Sequence, residues 1–295
     1  MPELPEVETT KNGLLPLINN QRVTRAIRHR ANLRWEIPKA LKTILAGQVV
    51  NGIDRRGKYL LIRFDVGSLI IHLGMSGSIK VVDSSEVLRK HDHFELIFDN
   101  NKSMRLNDPR RFGAVLFSKD GTHPLLDNLG VEPLTSDFSE TYLYVGSRKK
   151  VQNIKAFIMD SKVVVGVGNI YACECLFASG INPTRAAGSI SMARYKKLTQ
   201  NIKQILERAI KAGGTTLQDF SQVDGSPGYF AQTLNVYGRE GEKCGTCGGK
   251  ISRLIQNQRS TFYCKYCQSW VTSTPHKSFL KATAQLIPNP LPYKT

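Results

Sequence analysis

The sequence lacks long apolar runs, and only two of its six cysteines lie outside one late cluster. No segment approaches the roughly 18 apolar residues that a membrane-spanning helix needs. The best candidate, residues 163–181, is interrupted by Gly166, Gly168, Asn169 and Glu174. The opening MPELPEVETT has neither the basic start nor the apolar stretch of a secretory signal. These absences predict a soluble, intracellular protein without a disulfide framework.

Acidic residues are also scarce relative to basic ones. The chain has 24 Asp and Glu against 41 Lys and Arg, which gives a net charge of +17 and a pI near 9.7. Such an excess favours a polyanionic partner, most often nucleic acid. A basic but simply well-solvated surface is the alternative, so charge alone leaves the partner open.

The apolar pattern changes along the 295 residues, as expected for two domains. Residues 22–118 contain short runs rich in β-branched and aromatic residues, which predicts a sandwich or a barrel. Residues 99–103, DNNKS, are predicted to form a hairpin turn. The two prolines of the opening decapeptide disfavour a helix and a strand there. Residues 119–150 are turn-rich and predict a connector.

From residue 151 onward the pattern becomes helical. Asn169 is predicted to cap a helix that ends at Gly180, and residues 191–213 have the spacing of a second, amphipathic helix. Residues 224–230, DGSPGYF, have the composition of a flexible loop. Residues 269–295 contain four prolines and no acidic residue, which predicts a weakly structured basic tail.

Four cysteines form two matched pairs near the C-terminus. Cys244 and Cys247 are separated by two residues, as are Cys264 and Cys267, and 16 residues lie between the pairs. This spacing is typical of a zinc site in which two knuckles, joined by a β-hairpin, close a tetrahedron. Because all four ligands are cysteines, the site is closed, and we expect one structural zinc ion.

The surroundings of this zinc module support further predictions. Gly245, Gly248 and Gly249 are expected to supply positive φ angles at the knuckles. The module is basic, which favours phosphate or groove binding, although a zinc ribbon that binds protein is an alternative. Cys173 and Cys175 lie on the predicted helix and are expected to be small core residues.

The extreme N-terminus offers a nucleophile. Removal of the initiator methionine would leave Pro2 with a free secondary amine, a group whose pKa lies far below that of lysine. Such an amine can attack a sugar C1′ to give an iminium, and the adjacent Glu3 carboxylate can shuttle protons. On the decapeptide alone, an N-terminal arm or turn is the more ordinary interpretation.

A series of fragments occurs in one order along the chain: MPELPEVET, RRGKYLL, HLGMSG, DPRRFG, VVGVGNIY, GGTTL, DGSPGYFAQ and the four-cysteine finger. Together they resemble the formamidopyrimidine-DNA glycosylase family from residue 2 to about residue 268. The PELPE start resembles the oxidised-purine branch, whereas the sister endonuclease VIII branch typically begins Pro-Glu-Gly-Pro-Glu. The family commonly stops soon after the last cysteine, so the tail is a departure.

The resemblance implies an α+β fold with two domains that hold DNA in the cleft between them. The implied parts are an N-terminal β-sandwich catalytic domain (2–133), a connector (134–150), a helical domain with a helix–two-turn–helix element (151–236), a zinc finger (237–268) and a basic tail (269–295).

The resemblance also assigns roles to individual residues. Pro2 matches the nucleophile at C1′ of the damaged nucleotide, Glu3 the proton donor, and Lys58 a lysine that contacts phosphate and assists later steps. Glu6 matches a carboxylate near the active site, and Arg259, the phosphate-binding finger arginine, belongs with the catalytic set. The matches to DNA-contacting residues are His72, Met75, Arg110, Phe112, Lys155, Asn169, Tyr237 and Arg259.

Among these residues, Met75, Arg110 and Phe112 match the group that fills the space left by an extruded base. Residues 224–229 match a loop used around the phosphates and the flipped base. Ordinary interpretations remain for several residues: Met75 and Phe112 as core residues, Lys58 as a solvated strand residue, Asn169 as a plain helix cap, and Glu3 and Glu6 as balancing charges.

The implied activity is that of a bifunctional DNA glycosylase and abasic-site lyase. Such an enzyme excises oxidised purines, including 8-oxoguanine and formamidopyrimidines, from damaged double-stranded DNA through a proline Schiff base and β,δ-elimination. It needs no redox or nucleotide cofactor, and the resemblance implies a monomer in the bacterial cytoplasm, associated with the nucleoid. The alternatives are an endonuclease VIII-type enzyme for oxidised pyrimidines, a non-catalytic binder of damaged DNA, and a protein-binding zinc-ribbon scaffold.

Overall fold

The computed structural model describes residues 2–215, 223 and 230–269. None of the helices in these residues has the length and apolar character to cross a membrane. The strands are β1 (Val23–Arg28), β2 (Gly52–Arg56), β3 (Tyr59–Phe64), β4 (Gly67–His72), β5 (Ser78–Asp83), β6 (Asp92–Phe98), β7 (Lys102–Asn107), β8 (Ala114–Ser118), β9 (Ile251–Gln256) and β10 (Arg259–Cys264). The helices are α1 (Leu4–Ile18), α2 (Leu41–Ile44), α3 (Pro124–Asp127), α4 (Glu140–Ser147), α5 (Ile154–Met159), α6 (Asn169–Ala178) and α7 (Met192–Lys211).

The N-terminal part is a sandwich of two four-stranded antiparallel sheets, with strand orders β1-β6-β7-β5 and β2-β3-β4-β8. Alternate residues of each sheet face a shared apolar core, which includes Leu60, Ile62 and Leu96. The turn between β6 and β7 contains Asn101 at a φ of 60°, a left-handed conformation that asparagine tolerates. The predicted hairpin turn at 99–103 is therefore confirmed, and of the two predicted architectures the sandwich is correct.

Helix α1 follows directly on Glu3, so the prediction that the opening residues disfavour a helix was wrong. Pro5 lies in the first turn, where a missing N–H costs nothing because that group has no partner within the helix. Glu3 and Glu6 form a reciprocal capping box, in which each side chain accepts the backbone N–H of the other's position. The two prolines thus mark the start of a helix.

The C-terminal part contains the expected helix–two-turn–helix element. Helices α5 and α6 are joined by consecutive turns over residues 160–168, and α7 packs on α6 with its predicted apolar face buried. Helix α6 ends before Gly180, at a φ of 65°. The capping prediction was wrong, because Gly168 is the N-cap residue and Asn169 is already helical.

Residues 134–150 are more than a connector. They contain α4, whose Leu143 joins Phe138 in the apolar core of the helical part. Turn-forming residues before the helix hid this short apolar face from sequence reasoning. The other predicted domain boundaries stay predictions.

Strands β9 and β10 form the hairpin of the cysteine module, which packs on α6. Only Gly248 among the three knuckle glycines has a positive φ, 72°, so the prediction was wrong for Gly245 and Gly249. The Gly248 N–H bond to the Cys244 carbonyl and the Cys244 N–H bond to the Gly249 carbonyl close this turn with a single left-handed residue. The predicted loop at 224–229 and the tail beyond residue 269 lie outside the described residues.

Candidate active site and nucleic-acid interface

Glu3 caps helix α6 from the other end of the chain. Its carboxylate is buried and accepts backbone N–H bonds from Gly168 at 2.8 Å, Ile170 at 3.0 Å and Tyr171 at 3.4 Å. These are the unpaired donors of a helix N-terminus, which favour a negative charge. A Cβ on Gly168 would lie 2.2 Å from the Glu3 carboxyl carbon, so a side chain there would displace the Glu3 carboxylate. The N-terminal segment is thereby fixed against the helix–two-turn–helix element.

Glu6 is a second buried carboxylate, one turn further along α1. One oxygen accepts the Glu3 N–H at 2.8 Å, and the other accepts the Tyr171 hydroxyl at 2.6 Å and the Thr215 N–H at 2.8 Å. Burial raises the pKa of Glu6, and the Glu3 carboxylate raises it further. Burial also raises the pKa of Tyr171 well above its usual value, so Tyr171 stays an O–H donor. Glu6 therefore holds the backbone around Glu3 rather than facing solvent.

Lys58 lies in the turn between β2 and β3, not on a strand, and is half-buried. Burial lowers its pKa, while the Glu3 carboxylate raises it and the Arg259 guanidinium lowers it again. The Lys58 ammonium therefore lies in the same site as Glu3 and Arg259, the arginine of the β9–β10 hairpin. A lysine in such a setting serves as a phosphate ligand when charged and as a base when neutral.

The two arginines before Lys58 are paired with carboxylates and do not form an anion site. Arg55 contacts Glu8 at 2.6 Å and Glu132 at 2.8 Å, and Arg56 contacts Glu132 at 3.1 Å. Glu132 also accepts the Gly57 N–H at 2.7 Å. These ion pairs neutralise both guanidinium groups and hold the turn that presents Lys58.

Pro2 is buried and directly precedes the fixed Glu3. Its position follows from the Leu4 N–H bond to the Gly166 carbonyl at 3.0 Å, which aligns the chain start with the turn before α6. Lys58, which the sequence places far from Pro2 and Glu3, therefore lies in one region with them, between the sandwich and the helical part.

The turn that carries Met75 packs directly against the DPRRFG segment, here called the wedge loop (residues 108–113). A Cβ on Gly74 would lie 2.4 Å from the carbonyl carbon of Phe112, so only glycine allows this approach. The Ser76 hydroxyl donates to Asp108 at 2.9 Å and accepts the Arg110 N–H at 3.1 Å. Met75, half-buried, is thus held beside the wedge loop.

The wedge loop presents an exposed aromatic–cation pair. Phe112 is 46% exposed, and the Arg110 guanidinium lies 5.1 Å from its ring centroid. Buried Asp108 fixes the loop from within by accepting the Gly113 N–H at 2.8 Å. Arg111 adopts a φ of 59°, which reverses the chain before Phe112. Phe112 is therefore a surface residue, and the three residues predicted to fill a base-stack gap lie together.

His72 ends strand β4 beside Lys58. Its Nδ1 accepts the Gly74 N–H at 3.0 Å, so Nε2 carries the proton and is the free donor. Burial lowers the pKa of His72 to about 4, and the charges of Lys58 and Arg34 contribute to this. The ring lies 4.8 Å from that of Tyr59. His72 is therefore a neutral hydrogen-bond donor at physiological pH.

Lys155 is a predicted DNA contact whose ammonium donates its hydrogen bonds to the protein itself. It is buried, and its ammonium donates to Asn169 Oδ1 at 2.5 Å, the Ser260 carbonyl at 3.1 Å and the Thr261 hydroxyl at 2.7 Å. All three N–H groups of the ammonium are used. Lys155 therefore joins α5, α6 and β10, and its role on DNA stays a prediction.

Asn169, Tyr237 and Arg259 surround this junction. The Asn169 amide donates to the Ser260 carbonyl at 3.0 Å and lies 3.4 Å from the Tyr237 hydroxyl. Arg259 is exposed at the start of β10. Burial of Lys155 lowers the pKa of its ammonium, and the charge of Arg259 lowers it further. These contacts position the hairpin beside the N-terminus of α6.

The four cysteine sulfurs meet the requirements of a zinc centre. All four lie within 4.8 Å of one another, with Sγ–Sγ distances of 3.8 Å for Cys244 and Cys267 and 3.4 Å for Cys247 and Cys264. A tetrahedron with Zn–S bonds of about 2.3 Å needs sulfurs about 3.8 Å apart. The chain therefore has one structural zinc site. Cys173 and Cys175 are buried core residues, as predicted: Cys173 packs in the apolar cluster that includes Cys244 and Cys264, and Cys175 lies in the core of the helical part.

Three models of known protein families match most of the chain. The model of the formamidopyrimidine-DNA glycosylase N-terminal domain matches residues 1–115, and that of the formamidopyrimidine-DNA glycosylase H2TH domain matches residues 129–221. The zinc finger found in FPG and IleRS matches residues 241–269. The chain belongs to the formamidopyrimidine-DNA glycosylase family. It is accordingly a DNA glycosylase of base excision repair with a structural zinc finger.

Named relatives agree with this assignment. Formamidopyrimidine-DNA glycosylase of Ruthia magnifica is 70% identical over 269 residues, which cover 91% of this chain and 100% of the relative. That of Alteromonas mediterranea is 54% identical over 269 residues, with the same coverage. The protein-binding scaffold that the sequence left open is therefore wrong.

Solved structures of the formamidopyrimidine-DNA glycosylase family share the fold. The Thermus thermophilus protein has a TM-score of 0.81 at 35% identity, covering 90% of this chain and 98% of its own. A Lactococcus lactis Fpg complex with an abasic site containing DNA has a TM-score of 0.82 at 34% identity, covering 90% and 99%. A mutant of the same enzyme, in complex with a Fapy-dG containing DNA, has a TM-score of 0.83 at 34% identity, covering 90% and 99%. Both Lactococcus lactis structures are complexes with damaged DNA.

Sequence reasoning missed the residues that hold this family site together. None of these supporting residues belongs to a predicted catalytic or DNA-contacting set, and their residue types are ordinary in helices and turns. They are Tyr171, Thr215, Asp108, Glu132 and Glu174. Only Glu174 could have been noticed in the sequence, because it is a charged residue within a largely apolar predicted helix. It is buried and must therefore be bound.

Proposed function

We propose that this glycosylase excises oxidised purines from damaged double-stranded DNA and then cleaves the strand, with Pro2 as the nucleophile. We further propose that it acts as a monomer in the bacterial cytoplasm. The observation that carries the proposal is the position of buried Pro2 next to Glu3, whose carboxylate is fixed on the N-terminus of α6 with Lys58 beside it. A nucleophile, a fixed carboxylate and a cation of lowered pKa form a set suited to iminium chemistry.

The first step exchanges one bond at C1′ for another. The Pro2 nitrogen, freed by loss of Met1, attacks C1′, and the electron pair of the glycosidic bond leaves with the base, which takes up a proton. Glu3 takes up the proton that the Pro2 nitrogen loses after attack and transfers it to the ring oxygen O4′, which opens the sugar and gives a cationic iminium. The carboxylate needs no large movement, because three backbone N–H groups already hold it.

The later steps use the iminium as an electron sink. Loss of a proton from C2′ breaks the C3′–O bond, and the electron pair leaves with the 3′ phosphate. A second proton loss, at C4′, breaks the C5′–O bond, and water then releases the sugar fragment from Pro2. The expected product is a one-nucleotide gap with phosphate on both sides. Lys58 and Arg259 are the cations available to the departing phosphates.

Access to C1′ requires the damaged nucleotide to leave the duplex, which costs a few kcal/mol. The wedge loop, with Phe112 exposed and Arg110 beside it, supplies an aromatic group and a hydrogen-bond donor for the vacated space. Met75 lies on the adjacent turn and adds a soft apolar group.

The proposal is tested by comparing single-turnover cleavage of two duplexes, one with 8-oxoguanine opposite cytosine and one with thymine glycol opposite adenine. We expect the 8-oxoguanine strand to be cut at least tenfold faster, with phosphate at both ends of the gap. Faster cutting of thymine glycol would favour the endonuclease VIII-type alternative. A variant with one alanine inserted before Pro2 is the control, because it displaces the amine and should bind the duplex without cutting it.

A further inference from the structure

The loop between β1 and α2, residues 29–37, presents a second exposed cation–aromatic pair beside the wedge loop. Arg34 and Trp35 are both exposed, and the Arg34 guanidinium lies 4.7 Å from the centroid of the Trp35 ring. No sequence motif indicated this pair. A flat guanidinium stacked on an exposed indole is pre-organised and loses little conformational freedom when it binds an anion.

The 29–37 loop is firmly anchored to the sandwich and to the wedge loop. Leu33 and Ile37 are buried in the apolar core, and the Ile37 N–H donates to the Ala31 carbonyl at 2.9 Å. The Arg34 N–H donates to the Gly113 carbonyl at 3.1 Å, directly after exposed Phe112. The two cation–aromatic pairs are therefore held side by side on one surface.

Arg34 carries a charge that no protein carboxylate offsets within the described part of the chain. By contrast Arg28, at the end of β1, pairs with Glu36 of this loop at 3.1 Å. The charge of Arg34 contributes to the lowered pKa of His72. It also opposes the rise in the pKa of Tyr59 that burial causes. The guanidinium thus stands between the wedge loop and the strand end that carries His72.

We propose that Arg34, stacked on Trp35, binds a backbone phosphate of duplex DNA next to the nucleotide that the wedge loop displaces. This inference extends the DNA-binding surface and rests on the proposed function only for where the damaged nucleotide lies. A phosphate is the ligand that fits best, because the pair offers a planar cation with several donors and no acceptor.

The first test compares Arg34→Ala with Arg25→Ala, an exposed arginine on β1 that serves as the matched control. Affinity is measured over a range of salt concentrations for a duplex with an uncleavable tetrahydrofuran abasic analogue. We expect Arg34→Ala to bind about tenfold more weakly and to reduce the salt slope by about one, with Arg25→Ala within twofold of wild type. If Arg34→Ala matches Arg25→Ala in affinity and slope, the inference is overturned.

The base opposite the analogue distinguishes a phosphate from a base contact. The expected loss is the same with cytosine or adenine in that position. A loss confined to cytosine would overturn the phosphate assignment. Cleavage of the 8-oxoguanine duplex by the wild type separates the two proposals. Without cleavage the proposed function fails, whereas cleavage with an unaffected Arg34→Ala variant refutes only the role of Arg34.

A second readout uses Trp35 directly, because the chain contains only one other tryptophan, Trp270. In a Trp270→Phe background, acrylamide quenching of Trp35 is measured with and without the tetrahydrofuran duplex. We expect DNA to protect Trp35 by at least twofold, since phosphate binding by Arg34 brings the backbone over the ring. Unchanged quenching at saturating DNA would contradict the proposal.

Discussion

Glu3 and Glu6 lie one helical turn apart, yet their carboxylates are bound by different parts of the chain. Glu3 receives the N–H groups at the start of α6, and Glu6 receives its own donors from Glu3, Tyr171 and Thr215. Glu6 therefore positions the backbone of Glu3, whose side chain we propose as the proton donor. Its role is testable because its two oxygens have separate partners.

A Glu6→Gln substitution should impair excision more than folding. An amide retains one oxygen for Tyr171 and Thr215, but its NH2 group then faces the Glu3 N–H, which is also a donor. We expect single-turnover excision to fall roughly tenfold and the melting temperature to fall by only a few degrees. Glu207→Gln, at an exposed position of α7, is the control. A normal excision rate in Glu6→Gln would contradict the positioning role.

His72 predicts a dependence of stability on pH. Its folded pKa of about 4 lies below its usual 6.5, so the folded state binds fewer protons than the unfolded state. The resulting stability is present above pH 6.5 and is lost as the pH falls from 6.5 towards 4. His72→Asn keeps an acceptor for the Gly74 N–H but cannot titrate.

The measurement for His72 is urea unfolding at pH 7.5 and pH 5. Between these values wild type should lose about 2 kcal/mol more unfolding free energy than His72→Asn. An equal loss in both proteins would show that the His72 ring is not held neutral by its surroundings.

At the scale of elements, the joint between α6 and the zinc module depends on one buried side chain. The Glu174 carboxylate accepts N–H groups from Asn235, Val236 and Tyr237, each at 2.9 Å. These bonds hold the segment that leads into the cysteine module. They also place Tyr237 beside Asn169.

Glu174→Gln should loosen this joint and expose the zinc. One carboxylate oxygen is replaced by a donor that faces backbone N–H groups, at a cost of about 2–3 kcal/mol in unfolding free energy. We expect zinc to transfer to a chromogenic chelator several times faster than in wild type. Glu207→Gln again serves as the control, and wild-type release kinetics in Glu174→Gln would refute the role of this joint.

Sequence patterns predicted elements well where the signal was local. The sandwich strands, the helix α7 and the four-cysteine hairpin all follow from short-range periodicity or spacing. Helix α1 was missed because its start depends on a capping box and on a proline at a tolerated position. The short helix α4 was missed because its apolar face comprises few residues.

The candidate site was predictable in its residues but not in its contacts. The N-terminal amine and the motif matches pointed to Pro2, Glu3 and Lys58. No spacing rule could reveal that Glu3 caps a helix 165 residues away, or that Lys155 is bound by the hairpin. These contacts are tertiary, and only the fold brings their partners together.

At the scale of the whole molecule, α1 joins the two halves. It packs against both β2 and α7, and its first residues lie at the turn before α6. Pro2, the proposed nucleophile, is thus placed where the sandwich, with Lys58 and the wedge loop, meets the helical part with Asn169 and the hairpin arginine. The net charge of +17 provides the general attraction for DNA.

The most direct test of this account is borohydride trapping. The protein is incubated with duplex DNA carrying one 8-oxoguanine opposite cytosine, reduced, and digested, and the cross-linked residue is located by mass spectrometry. The account predicts a covalent adduct on Pro2, with Met1 absent from that peptide. Tight binding of the same duplex without any adduct, or an adduct on Lys58 alone, would contradict a mechanism that begins at the N-terminal proline.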